Sequence, residues 1–401
     1  MHGRFFLYFC DHVKTTLCMY YPRVIEDAVI EAIEHFPVTA IIGPRQCGKS
    51  TLVKHLSSNF SSEVLYLDLE RPSDLQKLEN AEWFLTTQRE KLICIDEIQR
   101  RPDLFPLIRS LVDEWHKPGC FLVLGSASRD LLKQTSESLA GRIVYKQLTP
   151  FLFSEISNHY TIEKYLERGG FPRSLLSKND KHSFEWRRSF ISTFLERDLL
   201  QWVHFTPATM QRIWQMLAHH NGQTVNYSHL GNALGVSNQT IKNHIDLMES
   251  TFMIYLIQPF TSNFGKRMVK SPKIYMADTG IAATLLGISS FQELSGHPTV
   301  GALWEQIILS NIKGHLPDAQ VFYYRTANGA EIDFVVKIDN KTFAIECKAS
   351  FSPTFSKGNY SAIEDISPDF TYIVTPSPNS WSMNKGIDVV SLEKLLQNIS
   401  L

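Results

Sequence analysis

The chain has 401 residues, of which 43% are hydrophobic and 20% charged. At roughly 150 residues per domain, two or three ordinary folded domains are predicted, and a disordered chain, a collagen-like repeat and a coiled coil are excluded. Forty Lys plus Arg against 41 Asp plus Glu leave a formal net charge of −1, which excludes strong global attraction to nucleic acid or anionic lipid and leaves only a local patch.

The six cysteines, at positions 10, 18, 47, 94, 120 and 347, form no CxxC pair. A chain of this length needs no disulfide staples, so reduced thiols in a cytoplasmic protein are expected. The opening MHGRFFLYFC has a basic start and a short apolar run that Asp11 interrupts. That run is too short for a signal peptide or a membrane span, and no later segment reaches the required ~18 continuous apolar residues, so no membrane partner is expected. Residues 1–18 read as an extension without a role, because Met19 opens a more regular pattern.

From residue 24, VIEDAVIEAIEHF has apolar residues at helical spacing, and Pro37 ends it. VTAIIG reads as a buried strand, followed by a Gly-rich turn and the amphipathic helix STLVKHLSSNF. EVLYLDLE, KLICIDEI and CFLVLGSAS are three further strands, with helical stretches such as LFPLIRSLVDEWHK between them. Strands alternating with helices predict a doubly wound α/β unit with parallel strands, closed by TPFLFSEI near residue 156. Residues 160–205 look all helical, 206–262 read as a compact helical block with a β-wing, and 263–401 return to mixed strands and helices.

GPRQCGKS, Gly43 to Ser50, fits GxxxxGK[ST]. Such a loop presents successive backbone N–H groups to phosphate oxygens, and the following helix aims its positive N-terminus at them. Gly43 and Gly48 permit backbone angles that a Cβ forbids. Lys49 reaches the β- and γ-phosphates, and the Ser50 hydroxyl binds Mg²⁺. The nucleotide-binding run is therefore Gly43, Pro44, Arg45, Gln46, Cys47, Gly48, Lys49, Ser50 and Thr51, with ATP as ligand.

LICIDE, Leu92 to Glu97, is four apolar residues followed by two carboxylates. A buried parallel strand delivers Asp96 to the carboxyl edge of the sheet, where it can hold the Mg²⁺ shell alongside Ser50. Glu97 can orient or deprotonate the attacking water. Ser126, at the tip of CFLVLGSAS, reads either as a γ-phosphate or water contact or as a helix N-cap. Arg142 in SLAGRI reads either as a phosphate contact, in cis or in trans, or as half of a surface salt bridge; action in trans would require a homo-oligomer. Arg197 in FLERDL is a weaker candidate of the same kind.

SHLGNALGVSNQTIKNHIDLM predicts a helix–turn–helix, with Leu230, Ala233 and Leu234 lining the first helix, Gly235 at the turn and Ser237 capping the second. Ile241, Ile245 and Met248 face inward, and FMIYLIQPF alternates like a wing strand. The outer face offers Asn238, Gln239, Thr240, Lys242 and Asn243, types that suit a DNA major groove. Against this, residues 206–262 hold Arg212 and Lys242 against Asp246 and Glu249. DNA affinity is mostly phosphate neutralisation, so a packing or protein-contact role stands beside DNA contact.

In the last third, GAEIDFVV, the turn DNK and TFAIECKAS predict a hairpin. Residues two apart on a strand share a face, so Glu346 and Lys348 point the same way. Asp333 meets them across the pair, and Glu305 in GALWEQIILSNI adds a fourth group. Carboxylates with one Lys suit Mg²⁺-dependent phosphodiester hydrolysis, and equally suit a solvated hairpin with a salt bridge. This looks like the PD-(D/E)XK nuclease pattern. Residues 263–401 carry 12 Lys plus Arg against 13 Asp plus Glu, with no basic excess to grip DNA.

GPRQCGKST, LICIDEIQ, GSAS, SLAGR with LTPFLFSEI, GGFP and FLERDL occur in the same order as in the AAA-type bacterial and archaeal ATPases that carry a C-terminal domain of unknown function. The chain resembles that family over about residues 20–350. The resemblance implies ATP binding and hydrolysis by Gly43, Gly48, Lys49, Ser50, Asp96 and Glu97, and a C-terminal domain similar to the restriction-endonuclease-like fold. The expected architecture is an extension (1–18), an AAA-like P-loop ATPase domain (19–156), a helical lid (157–205), a winged-helix-like module (206–262) and a PD-(D/E)XK nuclease-like domain (263–401). The expected function is an ATPase motor or switch. The alternatives are an ATP-gated metal-dependent nuclease and a non-enzymatic winged-helix DNA-binding regulator.

Overall fold

The computed structural model describes residues 20–126, 139–198, 206–261, 269–384 and 386–400; the extension 1–18 and the helix for which Ser126 was a candidate cap lie outside them. Five strands form the first sheet: β1 (Val38–Ile42), β2 (Val64–Asp68), β3 (Leu92–Asp96), β4 (Phe121–Gly125) and β5 (Ile143–Gln147). Their order is β2-β3-β4-β1-β5 and every pairing is parallel. The three central strands are buried along their whole length, as a sheet covered on both faces requires.

Alternation sorts their side chains to the two faces. Val38, Ala40, Ile93, Ile95, Phe121 and Val123 pack with helix Leu104–Trp115 on one side. Ile41, Leu92, Cys94, Leu122 and Leu124 pack with helices Glu26–His35 and Lys49–Leu56 on the other. Because all strands run the same way, the phosphate loop after β1 and the carboxylates after β3 emerge at one edge, with β4 between them.

The rest of the chain departs from the expected division. One continuous core runs from Phe151 through Trp214, Ile245 and Trp304 to Ile399. A nine-stranded sheet, in the order β13-β14-β12-β11-β10-β9-β7-β8-β6, crosses the boundary drawn at residue 262. Its strands are β6 (Gln223–Thr224), β7 (Ile254–Pro259), β8 (Lys273–Met276), β9 (Gln320–Arg325), β10 (Glu331–Ile338), β11 (Lys341–Cys347), β12 (Phe370–Val374), β13 (Trp381–Asn384) and β14 (Ile387–Val390). The helix–turn–helix forms as Tyr227–Leu234, left-handed Gly235 and Asn238–Ser250, with the Ser237 hydroxyl accepting from Thr240 N at 3.1 Å. The strand read as a wing is β7, which pairs with β8 on one side and with β9 on the other. Both of its edges are thus occupied, and the module is fused to the carboxyl-terminal unit.

GGFP has a structural role in this unit. Gly169 ends helix Ile162–Arg168 at φ 73, and a Cβ there would strike the Asp278 carboxylate. That carboxylate accepts from Gly170 N at 2.7 Å and caps helix Thr279–Leu285 by accepting from Ile281 N at 2.8 Å. Gly280 packs its α-carbon against the Arg168 carbonyl. Gly280→Ala is therefore expected to cost roughly 3 kcal/mol and lower the unfolding midpoint. Gly301→Ala, a helical position with open space around its α-carbon, is expected to be neutral or to stabilise by up to ~1 kcal/mol. Denaturant titration of the two variants checks the pair.

Candidate functional site

The phosphate loop closes around its own lysine. Lys49 is buried, and its Nζ donates to the carbonyls of Gly43 and Pro44, both at 2.9 Å. The loop passes so close to the chain leaving β5 that a Cβ on Gly43 would collide with the Leu148 carbonyl oxygen. Gln46 and Gly48 take positive φ, 60° and 108°, which turns their backbones as a cradle demands. Cys47 points away from the ligand side and packs in the core beneath, its Sγ 3.5 Å from the Leu148 carbonyl. Thr51 is exposed on the following helix.

Ser50 Oγ donates to Asp96 Oδ2 at 2.7 Å, so the two groups expected around Mg²⁺ do meet, although β4 separates their strands. Asp96 is held from two further directions: Oδ1 accepts from Glu97 N at 2.9 Å, and Oδ2 accepts from the Tyr66 hydroxyl. Tyr66 lies on β2 opposite Cys94. Burial, with the Asp96 carboxylate second, pushes the Tyr66 phenol far above its ordinary range, so it stays a donor. Glu97 adopts φ 56°, a left-handed conformation that a non-glycine residue pays to hold. Burial raises the pKa of its carboxyl, while Lys49 and Arg45 pull it down. Its Oε2 accepts from the Gln99 amide, and Ser126 Oγ lies 3.4 Å from Oε2 and 3.0 Å from Gln99 Nε2. Ser126 thus stands beside the candidate base. The donor set fits Mg²⁺: one hydroxyl and one carboxylate oxygen converge at the mouth of a phosphate cradle.

Two residues to which the sequence analysis gave no role complete the loop's surroundings. Arg23 is buried and donates to the carbonyls of Cys47 (3.2 Å), Thr149 (2.7 Å) and Pro150 (3.2 Å). It also pairs with Glu155 at 3.0 Å, which accounts for the glutamate of LTPFLFSEI. Gln99 is the other.

Arg142 requires a correction. It precedes β5, and its carbonyl accepts from Val38 N at the start of β1. It therefore sits at the sheet edge opposite Gly43, and its Nη2 binds Asp113 Oδ2 at 3.0 Å. A contact with phosphates of its own chain is ruled out by the length of the strand, and the surface salt bridge is what forms. Arg197 falls in the π-type turn Phe194–Asp198.

The four residues predicted in the last third also come together, with company. Asp333 Oδ2 accepts from Cys347 N at 2.9 Å across the β10–β11 hairpin, at a break in the β9–β10 register that re-aims it. Lys348 Nζ binds Glu346 Oε1 at 2.6 Å, and Glu305 accepts from the Tyr275 hydroxyl at 2.7 Å. Lys273 on β8, which carries no sequence signal, places its buried Nζ 3.0 Å from Glu331 and 3.6 Å from Asp333. Glu346 Oε2 is buried without a hydrogen-bond partner. Among the described residues no group of three or more His, Cys, Asp or Glu is set to hold a metal ion.

On the helix–turn–helix, Asn238, Gln239, Lys242 and Asn243 are exposed. Asn238 donates to Ser228 Oγ at 3.0 Å and Gln239 to Asn243 at 2.8 Å. Among the described residues no helix is long and apolar enough to cross a membrane.

Residues 35–157 match the family described as an AAA domain, 159–292 the domain of unknown function DUF8612, and 300–395 the domain of unknown function DUF4143. An uncharacterized protein of Mycobacterium tuberculosis is 36% identical over 366 residues, covering 91% of this chain and 82% of that protein. The chain belongs to the same family as this protein. A second member at the same identity is an uncharacterized protein of Mycobacterium bovis. An uncharacterized protein of Methanocaldococcus jannaschii is 21% identical over 347 residues, 77% of this chain and 74% of its own length. Among solved structures, the Walker-type ATPase of Pyrococcus abyssi aligns with a TM-score of 0.46 and 16% identity over 67% of this chain and 96% of that one. The AAA match covers the phosphate loop, Asp96, Glu97 and Ser126 and supports an ATPase in general.

Burial, then the Asp333 charge, pushes the carboxyls of Glu305 and Glu346 up to about 8. A carboxyl whose folded pKa is raised contributes stability below its unfolded pKa of roughly 4.3 and loses it as pH rises through the folded value. Wild-type stability is therefore expected to fall as pH rises from about 5 to about 8. Glu346→Gln, which cannot ionise, is expected to flatten that fall, as measured by thermal unfolding across the range.

Proposed function

We propose that the protein binds and hydrolyses ATP with Mg²⁺ and uses the cycle as a conformational motor or switch. The observation that carries this reading is the 2.7 Å contact between Ser50 and Asp96, with Lys49 and Glu97 on either side of it. Bound Mg²⁺ supplies charge neutralisation on the phosphate oxygens. Ser50 and Asp96 hold its shell. Lys49 exchanges two carbonyl partners for phosphate oxygens, and the loop amides orient the chain of phosphates. Glu97, kept in place by Gln99 and Ser126, orients the attacking water and takes its proton. The described cysteines are free and buried, in keeping with a reducing cytoplasm.

Lys49→Ala is expected to abolish nucleotide binding or turnover. Glu97→Gln is expected to retain binding while slowing hydrolysis by at least ~100-fold, the scale of one positioned general base. Steady-state phosphate release with parallel nucleotide titrations checks both, and unchanged rates in the two variants overturn the assignment.

A second reading, an ATP-gated metal-dependent nuclease, is favoured by the meeting of Glu305, Asp333, Glu346 and Lys348 and by the unpartnered Glu346 Oε2. For a cation to sit there, Lys273 and Lys348 have to release their carboxylates. Plasmid nicking with Mg²⁺ or Mn²⁺ that disappears in Asp333→Ala and Lys348→Ala is the expected result. No cleavage with ATP, ADP or no nucleotide rejects it.

A further inference from the structure

Lys273 lies on β8 with its side chain 3% exposed, and its Nζ is 3.0 Å from Glu331 Oε1 and 3.6 Å from Asp333 Oδ1. Tyr275 is two residues further along and therefore on the same face of β8. It donates its hydroxyl to Glu305 Oε2 at 2.7 Å. One short strand thus presents an ammonium and a hydroxyl to carboxylates carried by two other elements: Glu331 and Asp333 on β10, and Glu305 on helix Val300–His315. Glu346 on β11 completes the group. Its Oε1 is taken by Lys348, and its Oε2 is buried without a hydrogen-bond partner.

Burial alone pulls the pKa of Lys273 down, but the charges of Asp333, Glu305 and Glu331 outweigh it and hold the pKa above its ordinary value. The ammonium therefore stays charged where an unpaired charge would be costly. A lysine ammonium is a compact point charge with three donors, which makes it the side-chain group most like a small hard cation among oxygens. Lys273 also holds the atom a metal would need. Asp333 Oδ2 is committed to Cys347 N at 2.9 Å, so the oxygen left for a cation is Oδ1, the one that faces Lys273. A divalent ion requires such oxygens at about 2.0–2.6 Å, and an ammonium beside it would repel it. Glu331 and Lys348 have side chains that are each a third exposed, so the rim of the cluster is wet and an ion from solution can reach it.

We propose that Lys273 is the resident cation of this cluster: its ammonium holds the place of a divalent metal ion, and a metal binds among Glu305, Asp333 and Glu346 once that ammonium is removed or drawn away. The proposal deepens the nuclease reading, which needs a cation at the same carboxylates. It concerns occupancy alone, so nicking decides that reading and metal titration decides this one.

The test is calorimetric titration of the full chain with Mn²⁺, without nucleotide and in an Asp96→Asn background that takes the phosphate-loop ion out of the reading. Lys273→Met is expected to bind Mn²⁺ at least ~10-fold more tightly than its parent, and Lys273→Met with Asp333→Asn is expected to lose that gain. Without metal, Lys273→Met is expected to unfold at a lower temperature than the parent, because its carboxylates have lost their counter-charge. Mn²⁺ is expected to restore the midpoint in Lys273→Met and not in the double variant. Should Lys273→Met not fold without metal, refolding in Mn²⁺ and in EDTA decides: folded protein with Mn²⁺ only supports the proposal, and none in either overturns it. A folded Lys273→Met that binds no more Mn²⁺ than its parent also overturns it. So does a parent that binds Mn²⁺ and loses it in Asp333→Asn, since metal and ammonium would then coexist.

Discussion

A buried ammonium must be hydrogen-bonded, and much of the ATPase unit follows from how Lys49 meets that demand. Its Nζ is satisfied by two carbonyls of its own loop, which closes the loop into a ring. That ring closes only because Gly43 lacks a Cβ where the Leu148 carbonyl approaches and because Gly48 accepts a positive φ. The arrangement offers a direct exchange of two neutral acceptors for charged phosphate oxygens, which bind an ammonium more strongly.

The same loop is where the two units are joined. Arg23 donates to the Cys47 carbonyl from below and pairs with Glu155, a residue that caps the first helix of the second unit by accepting from Leu152 N at 2.8 Å. A buried ion pair of this kind adds little net stability compared with apolar packing, but removing either partner leaves an uncompensated charge. It therefore fixes geometry. A junction fixed at the phosphate loop suits a protein whose nucleotide state is to be felt in the remote unit that carries Asp333 and Glu346 on strands and Glu305 on a helix.

What the sequence made legible and what it left hidden divide along physical lines. The phosphate loop, Asp96 with Glu97, the β10–β11 hairpin and the helix–turn–helix were readable because each is a local pattern of glycine placement, strand alternation or capping. Tyr66, Arg23 and Lys273 were not, because each reaches its partner from a different element and nothing in its own neighbourhood marks it. Of the two readings for Arg142 the surface salt bridge forms and the contact with phosphates of its own chain does not, because the residue stands before β5, at the end of the sheet away from the loop. The separate winged and nuclease-like domains were drawn from changes in local pattern, whereas the β7–β9 pairing that merges them links residues more than 60 positions apart.

The central claim is that Lys49 and Asp96 serve one triphosphate–magnesium cluster at the edge of the first sheet. It is tested most directly by measuring ATP affinity with and without Mg²⁺ in wild type and in Asp96→Asn. The account predicts that Mg²⁺ tightens ATP binding in wild type and that Asp96→Asn loses this gain while keeping its Mg²⁺-free affinity. An equal gain in both proteins would contradict it.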